Sequence, residues 1–239
     1  KFDSEYLMLS AILRWWNEEQ NSPDIITGWN IEGFDVPYFI NRTAKILGSE
    51  RVKDWSPWGL VREKEVEFRG RKQTFYTIDG IAQVDYMKAF IKFGYSYGSQ
   101  ESYRLDHIAS VVLGENKLDY DAQAGLHGLR DQDPARYLAY NIKDTWLVEK
   151  LEDKMGLIDL VMTTAYKAGV NYIDCFGTTR IWDTIIYRKL AQRNVVVPPS
   201  KENVKASFAG GYVKPPQVGM HEWVTSYDLN SLYPNIIVQ

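Results

Sequence analysis

The 239-residue sequence contains one cysteine, Cys175, and no long apolar run. A single cysteine excludes an internal disulfide and a CxxC metal site, and it is typical of a reducing compartment such as the cytoplasm. No segment approaches the ~20 apolar residues that a membrane-spanning helix needs. Internal repeats and low-complexity segments are absent as well. These absences exclude a disulfide scaffold and a membrane-spanning protein, and they favour a globular cytoplasmic protein.

An excess of positive charge is also missing. The sequence has 31 acidic and 28 basic residues and a formal charge of −3, so any contact with nucleic acid must come from a local basic patch. Hydrophobic residues are plentiful at 45% of the chain, with 14% aromatic residues, which suffices for a buried core. Composition therefore predicts a folded protein and names no ligand.

Helical and strand-like patterns alternate along the first part of the chain. Hydrophobic residues in "SEYLMLSAILRWWNEEQ" have helical spacing, with Asp3 or Ser4 as the N-cap. The next segment, "DIITGWN", is typical of a short buried strand. A second helix is predicted in "IEGFDVPYFINRTAKILG", with Pro37 in its first turn and Gly48 after its end. This alternation predicts an α/β fold.

Further patterns continue the same alternation. The segments "VREKEVEF" and "QTFYTID", joined by the turn-like "RGRK", predict a β-hairpin with a basic tip, and "GIAQVDY" predicts another strand. Helical periodicity runs through "ARYLAYNIKDTWLVEKLEDKMGLIDLVMTTAYKAG" and again through "TRIWDTIIYRKLAQRN". A strand leading into a helix is predicted in "EWVTSYDLNSLYPNII". A Pro/Gly-rich change of composition at about 195–217 predicts a domain boundary.

Three short motifs contain residues suited to chemistry. In "WNIEGFD", Asn30 and Asp35 can face one another across a loop at a strand end, although taken alone this pattern is more typical of Asp35 capping the helix that begins at Pro37. In "YNIKD", Tyr140 and Asp144 lie one helical turn apart. A tyrosine there can hold a water that a metal on the carboxylate activates. The alternative is a core tyrosine beside a solvated acid.

The third motif, "YDLNSLYP", places Asp228 at the end of a predicted strand and before a turn. A carboxylate followed by free backbone N–H groups can bind a divalent metal and a triphosphate. The alternative is an ordinary turn aspartate. Each of the three motifs is a weak signal when it is taken alone.

Taken together and in this order, the motifs resemble those of the family B DNA polymerases, and among them the replicative polymerases of T-even-type bacteriophages. "GWNIEGFDVPYFINR" is similar to the second exonuclease motif of the family, "YNIKD" to the third, and "DLNSLYPNII" to polymerase motif A. The "FAGG" segment falls where the family has a template-contacting Tyr-x-Gly-Gly, with Phe208 in place of the tyrosine. The resemblance extends over essentially the whole chain.

The resemblance implies a fold and three domains. Residues 1–156 are expected to form an RNase H-like 3′–5′ exonuclease domain with the β-hairpin, residues 157–199 a helical segment of the N-terminal domain, and residues 200–239 the start of the palm. The first exonuclease motif of the family, Asp-x-Glu on a strand, is expected just before Lys1. We therefore expect the sequence to be an internal fragment of a replicative polymerase that acts in the cytoplasm, in the host cell if it is phage-encoded.

The resemblance also implies ligands, partners and roles. Two Mg²⁺ or Mn²⁺ ions per active site are expected, with a DNA primer-template, a single-stranded 3′ end and deoxynucleoside triphosphates as substrates, and a sliding clamp as a further partner. The expected metal ligands are Asp35, Asp144 and Asp228. Tyr140 is expected to position the attacking water, Asn30 and Phe34 to contact the 3′ end, and Leu229, Ser231, Leu232 and Tyr233 to bind the incoming nucleotide, with the Tyr233 ring excluding a 2′-hydroxyl. The expected DNA contacts are Arg69, Arg71, Lys72, Phe208, Gly210 and Gly211.

Two other classes of function remain open at this point. One is an inert module that binds single-stranded nucleic acid through aromatic side chains and basic loops and needs no metal. The other is a stand-alone exonuclease in which the palm-like segment is a passive tail. For the hairpin tip, the alternative to a DNA contact is a solvated turn. Metal-dependent removal of a 3′ nucleotide distinguishes the stand-alone exonuclease from the inert binding module.

Overall fold

The computed structural model describes residues 2–68, 71–118, 125–199 and 210–239. Among them, no helix combines the length and the hydropathy that a bilayer span requires. The strands are β1 (Ile25–Gly28), β2 (Val61–Phe68), β3 (Arg71–Ile78) and β4 (Ala82–Asp85). The α-helices are α1 (Glu5–Trp16), α2 (Asp35–Ile46), α3 (Tyr86–Phe93), α4 (Leu105–Leu113), α5 (Gly125–Gln132), α6 (Pro134–Met155), α7 (Leu157–Ala168), α8 (Thr178–Ala191) and α9 (Leu232–Val238).

The chain divides into two compact units, Lys1–Val197 and Pro198–Gln239. In the part of the first unit that the structure describes, there are two small sheets. In one, β1 and β4 pair in parallel, with Ile25 opposite Ala82 and Gly28 opposite Asp85. In the other, β2 and β3 form the predicted antiparallel hairpin. The mixture of helices and small sheets confirms the α/β class.

Three clusters of buried side chains hold the first unit together. One lies among α3, α4 and α6, where Tyr86, Ile108 and Leu147 are completely buried. A second joins α1 and α2 to the start of the hairpin through residues such as Leu13 and Ile40. The third packs β4 against α7 and the 3₁₀ helix Tyr172–Phe176. Each fully buried aliphatic side chain contributes about 1.5–3 kcal/mol, so these clusters fix the elements around them.

Local signals explain where most helices begin and end. The Ser4 hydroxyl accepts a hydrogen bond from the Leu7 backbone N–H, which confirms Ser4 as the N-cap of α1. The long helical pattern after Pro134 is interrupted in the structure: Gly156 adopts a left-handed conformation with φ of 60°, so α6 ends and α7 begins there. Glycine accepts this conformation without the steric cost that a β-carbon adds. The helical periodicity of this segment is therefore divided between two helices.

The second unit, Pro198–Gln239, has little regular structure in its described part. Every residue from 210 to 239 is exposed, and α9 is the helix that follows Ser231. The strand predicted before Asp228 is not formed, because residues 222–229 have no regular secondary structure. A strand needs a neighbour for its backbone hydrogen bonds, and the described residues 210–239 provide none. That prediction was wrong for this chain.

Candidate active site

A cleft of about 1410 Å³ lies where β1 and β4 end and faces α6. Parallel strands bring their carboxyl ends to one edge of a sheet, and ligands of open α/β folds commonly bind outside that edge. Residues from β1, the loop after it and α6 line the cleft. Five of the residues singled out from the sequence are among them: Asn30, Phe34, Asp35, Tyr140 and Asp144.

The loop after β1 forms one wall of the cleft. Asn30 has a positive φ of 64°, which is uncommon outside glycine but tolerated by asparagine. Its carbonyl oxygen accepts hydrogen bonds from the N–H groups of Gly33 (3.2 Å) and Phe34 (3.0 Å), which closes a tight turn. A β-carbon at Gly33 would lie 2.5 Å from Asn30 Oδ1, so a larger residue there would displace the Asn30 side chain. The turn therefore fixes where Asn30 and Phe34 project.

Asp35 begins α2 instead of capping it. The N-cap of α2 is Phe34, whose side chain makes no capping hydrogen bond, and Asp35 is the first residue of the helix. The capping interpretation of Asp35 was therefore wrong. Burial raises the pKa of the Asp35 carboxyl above its usual value; its own backbone N–H opposes this rise, and the nearby charge of Asp85 adds to it. A carboxylate in this position gains from a cation beside it.

Asp85, which the sequence analysis did not select, holds the loop in place. Its carboxylate is completely buried and accepts three backbone N–H bonds: Oδ1 from Asn30 (3.3 Å) and Lys88 (3.2 Å), and Oδ2 from Glu32 (3.2 Å). The bond from Lys88 makes Asp85 the N-cap of α3. An aspartate between a strand and a helix signals this cap, but no local pattern indicates a loop more than fifty residues earlier.

Helix α6 forms the opposite wall and presents Tyr140 and Asp144 on one face, as their spacing predicts. Both contact Lys117, a residue that the sequence analysis also missed. Lys117 Nζ donates a hydrogen bond to Asp144 Oδ2 at 2.6 Å and lies 3.4 Å from the Tyr140 hydroxyl and 5.3 Å from the centroid of its ring. Tyr140 is 8% exposed, so its ring packs in the wall while its hydroxyl lies at the cleft.

The loop that carries Lys117 is attached at several points. Lys117 N–H donates to Asp106 Oδ1 at 2.7 Å, and Glu115 accepts hydrogen bonds from Lys143 and Lys150 of α6. These two ammonium groups lower the pKa of Glu115 to about 2. Burial acts to lower the pKa of Lys117, but its bonds and charge interactions with Asp144 and Tyr140 outweigh burial and raise it. Lys117 therefore stays positively charged beside Asp144.

Sequence models of known families match two parts of the chain. The model described as DNA polymerase family B, exonuclease domain, matches residues 1–108, and the model described as DNA polymerase family B matches residues 177–239. The chain belongs to the family B DNA polymerases. The resemblance that the motifs indicated is confirmed.

Individual relatives agree with this assignment. The DNA-directed DNA polymerase of Enterobacteria phage T4 is 37% identical over 238 residues, and that of Escherichia phage RB69 is 36% identical over the same length. Each alignment covers 100% of this chain and 26% of the relative. The DNA polymerase delta catalytic subunit of Candida albicans is 29% identical over 249 residues, covering 95% of the chain and 23% of the relative. The chain thus spans about a quarter of the length of these family B polymerases.

The cleft suits part of a divalent-metal site of this family. Asp144 Oδ1 is buried and accepts no hydrogen bond from any residue that the structure describes. A buried carboxylate oxygen of this kind is a suitable ligand for Mg²⁺ or Mn²⁺. Asp35, repelled by Asp85, is a second candidate. Within the described ranges, no three His, Cys, Asp or Glu side chains are grouped closely enough to hold a metal ion. The donors present therefore fit a cation as two carboxylates of a larger set.

The residues expected at the polymerase site lie in the second unit. Asp228, Leu229, Ser231, Leu232 and Tyr233 are all exposed, and Tyr233 is 78% exposed. Ser231 has a positive φ of 53° and precedes α9 without capping it through its side chain. Gly210 and Gly211 lie in irregular chain. Among the described residues 210–239, none of these residues is buried against another part of the chain.

The expected DNA contacts of the hairpin and of the "FAGG" segment are only partly described. Lys72 lies 3.8 Å from Glu65 across the hairpin, as an exposed ion pair. Arg69 and Phe208 lie outside the described residues, and only the backbone of Arg71 is described. An exposed pair such as Lys72 and Glu65 contributes little stability and leaves the ammonium accessible.

Proposed function

We propose that this segment is part of a replicative DNA-directed DNA polymerase and that its cleft belongs to the 3′–5′ proofreading exonuclease. The observation that carries the proposal is the meeting of Asp35 and Asp144 at one cleft, since each belongs to a motif that resembles an exonuclease motif of the family. The parallel pair β1–β4 with a helix across its carboxyl end supports an RNase H-like arrangement. The match of the exonuclease-domain model to residues 1–108 agrees with it.

The reaction is hydrolysis of the 3′-terminal phosphodiester bond. Family B polymerases and their exonucleases generally depend on divalent metals, which activate a water molecule and stabilise the leaving oxygen. In this chain Asp35 and Asp144 would hold such ions. The Tyr140 hydroxyl is placed to orient the attacking water, since it lies one turn from Asp144 and shares Lys117 with it. Lys117 supplies a fixed positive charge near the phosphate that is attacked.

The loop wall would hold the nucleotide to be removed. Phe34 is 64% exposed although it lines the cleft, so its ring is available to stack on a base. The Asn30 side chain lies beside it in the same turn and can hydrogen-bond to the sugar or the phosphate. Stacking on an aromatic ring tolerates any base, as proofreading requires.

For residues 200–239 we propose the start of the palm, because the family B polymerase model matches residues 177–239. Asp228 would bind a metal ion, assisted by the Leu229 carbonyl, and the N–H groups from Ser231 to Tyr233 would face the triphosphate. The Tyr233 ring would then exclude a 2′-hydroxyl by steric overlap. In a polymerase that contains this segment, Tyr233→Ala should raise ribonucleotide incorporation relative to deoxyribonucleotide incorporation, whereas Asp228→Asn should lower both alike.

The deciding experiment follows a 5′-labelled single-stranded oligonucleotide incubated with such a polymerase and Mg²⁺ or EDTA. We expect stepwise loss of 3′ nucleotides that requires the metal and falls by several orders of magnitude in Asp144→Ala. Tyr140→Phe, which keeps the ring and removes the hydroxyl, should retain more activity. Unchanged degradation in Asp144→Ala would reject the assignment of the cleft.

The 239-residue chain alone is expected to bind metal weakly and to show negligible turnover, because it supplies only two of the carboxylates that the resemblance implies as metal ligands, Asp35 and Asp144. Robust 3′–5′ degradation by this chain, abolished by Asp144→Ala, would show that the Asp-x-Glu carboxylates are dispensable. An inert single-strand-binding module would bind DNA equally well in Mg²⁺ and EDTA and degrade none. The family assignment does not favour that alternative or a stand-alone nuclease. The sliding clamp and the cytoplasmic location stay predictions.

A further inference from the structure

Tyr38 lies one turn after Phe34 on the exposed side of α2. The two rings are stacked, with an interplanar angle of 14° and centroids 6.2 Å apart. Phe34 is 64% exposed and Tyr38 is 53% exposed, so neither ring is part of the core. Phe34 lines the cleft, whereas Tyr38 is outside its lining. The two rings therefore form a surface that runs from the cleft over its rim.

A series of ring contacts connects this aromatic surface to the hydrophobic core. Tyr38 contacts Phe39 edge-on at 6.1 Å between centroids, and Phe39 packs against Trp55 at 5.5 Å. Trp55 is buried, and its indole N–H donates a hydrogen bond to the Thr43 hydroxyl at 2.9 Å. Rings connected in this way lose little entropy when a ligand stacks on them, because their orientation is already restricted. The surface is thus preorganised for a flat ligand.

The chemistry around the rings is compatible with a nucleic-acid strand. The two rings are nearly parallel and both are exposed, and successive bases of a single strand stack on exposed aromatic rings. Lys45, two turns beyond Tyr38, is exposed and can meet a phosphate. The nearby Glu5 carboxylate is paired with Arg42, and this pairing reduces the repulsion between Glu5 and the phosphates of the nucleic-acid strand.

We propose that Tyr38 binds the base of the penultimate nucleotide of the single-stranded 3′ end, next to the terminal nucleotide at Asn30 and Phe34. This inference rests on the proposed exonuclease function, because it requires the 3′ end to lie in the cleft. A second stacked base holds the strand along the rim, so that the terminal phosphodiester enters the cleft in one orientation. The subsite accepts any base, since a π face carries no hydrogen-bonding code.

The test uses the 239-residue chain in EDTA, which prevents hydrolysis. The probes are two single-stranded oligothymidylates, one with 2-aminopurine as the terminal 3′ base and one with it at the penultimate position. Stacking on an aromatic ring changes the fluorescence of 2-aminopurine. We expect Tyr38→Ala to remove the signal change of the penultimate probe, to keep that of the terminal probe, and to weaken binding about tenfold, as loss of one stacked base predicts. Tyr38→Phe should behave like the unaltered chain.

The matched control is Tyr95→Ala, which removes another exposed tyrosine, 84% exposed, that lies outside the cleft lining. It should change neither probe. If Phe34→Ala weakens binding while Tyr38→Ala leaves both probes unchanged, the Tyr38 subsite is rejected and the exonuclease proposal stands. If neither Phe34→Ala nor Tyr38→Ala changes binding, the strand does not enter this cleft and both proposals are rejected.

Discussion

The two compact units differ in whether buried side chains hold their motif residues in place. In Lys1–Val197, Asp35 begins a helix whose Val36 and Ile40 are buried, and Asp144 lies on a helix anchored by Leu147. In Pro198–Gln239, the motif around Asp228 has no buried neighbour within the described residues 210–239. Both units contain recognisable sequence motifs. Motif residues have a fixed geometry only where buried side chains hold them in place.

The difference has a simple physical cause. A helix as short as α9, seven residues long, gains too few backbone hydrogen bonds to offset the entropy of its first turn. Helices in folded proteins obtain most of their stability from an apolar face that packs on something else. In the first unit α6 has such a face. Because that face is packed, the charged residues of α6 are held in fixed positions. Substitutions in the two units should therefore have very different effects on stability.

The largest effect is expected from a truncation in the core of the first unit. Leu147 is completely buried among α3, α4 and α6, so Leu147→Ala should lower the free energy of unfolding by about 2–5 kcal/mol. Urea unfolding followed by circular dichroism measures this. Ile237→Ala on the exposed α9 is the matched aliphatic control and should change little. Equal effects of the two substitutions would remove the contrast between the units.

The next effect is expected at Asp85. In Asp85→Asn the amide replaces one acceptor oxygen with a donor, so at least one of the three backbone N–H groups loses its partner in a buried site, at a cost of about 1–3 kcal/mol. Asp133→Asn is the control, since Asp133 caps α6 on the surface, and asparagine is an equally good cap. Thermal unfolding gives the melting temperatures of the two variants, and that of Asp85→Asn should be the lower. Equal melting temperatures for both variants would show that Asp85 acts only as a helix cap.

A smaller effect, on the order of 1 kcal/mol, is expected for Lys117→Met, which removes a charge-assisted hydrogen bond. The pKa of Lys117 is raised in the folded chain, so the ion pair stabilises fully below the unfolded pKa, about 10.4, and its contribution is lost as pH rises through the folded value. Urea unfolding at pH 8 and pH 11 should show the difference from the unaltered chain shrinking at the higher pH.

Lys117→Arg tests the same charge in another way. A guanidinium group remains charged at pH 11, so this variant should keep its stability relative to Lys117→Met at both pH values. A difference between the unaltered chain and Lys117→Met that does not depend on pH would contradict an electrostatic role for the ammonium group.

The smallest effect is expected in the second unit. Tyr233→Ala removes a ring that is 78% exposed, and such substitutions usually change the free energy of unfolding by less than about 0.5 kcal/mol. The same urea experiment measures it, with Tyr86→Ala as the buried counterpart in the first unit. A loss above 1 kcal/mol would show that the Tyr233 ring packs in solution.

The sequence predicted the parts of the fold and of the cleft that depend on local patterns. Ser4 as a cap, the hairpin and the shared face of Tyr140 and Asp144 follow from spacing and residue type over a few positions. The strand before Asp228 failed because strand propensity needs a pairing partner, which no local pattern supplies.

Two residues of the cleft were missed for a related reason. Asp85 contacts a loop 55 and 53 residues earlier, and Lys117 contacts a carboxylate 27 residues later. Residues so far apart in the sequence are brought together by the packing of whole helices and strands. A lone lysine or an aspartate before a helix has many ordinary uses, so its type alone does not indicate the site.

The three bonds of Asp85 also bear on the order in which the protein folds. The β2–β3 hairpin closes a short loop and can form early, whereas β1 and β4 must enclose that entire hairpin before they pair. Only then does the Asp85 carboxylate reach the N–H groups of Asn30 and Glu32. The loop that presents Phe34 and Asp35 is therefore expected to take its shape after the hairpin, whereas the local bond from Lys88 to Asp85 does not depend on that pairing. A nascent chain that has already formed its hairpin still lacks the loop wall of its cleft.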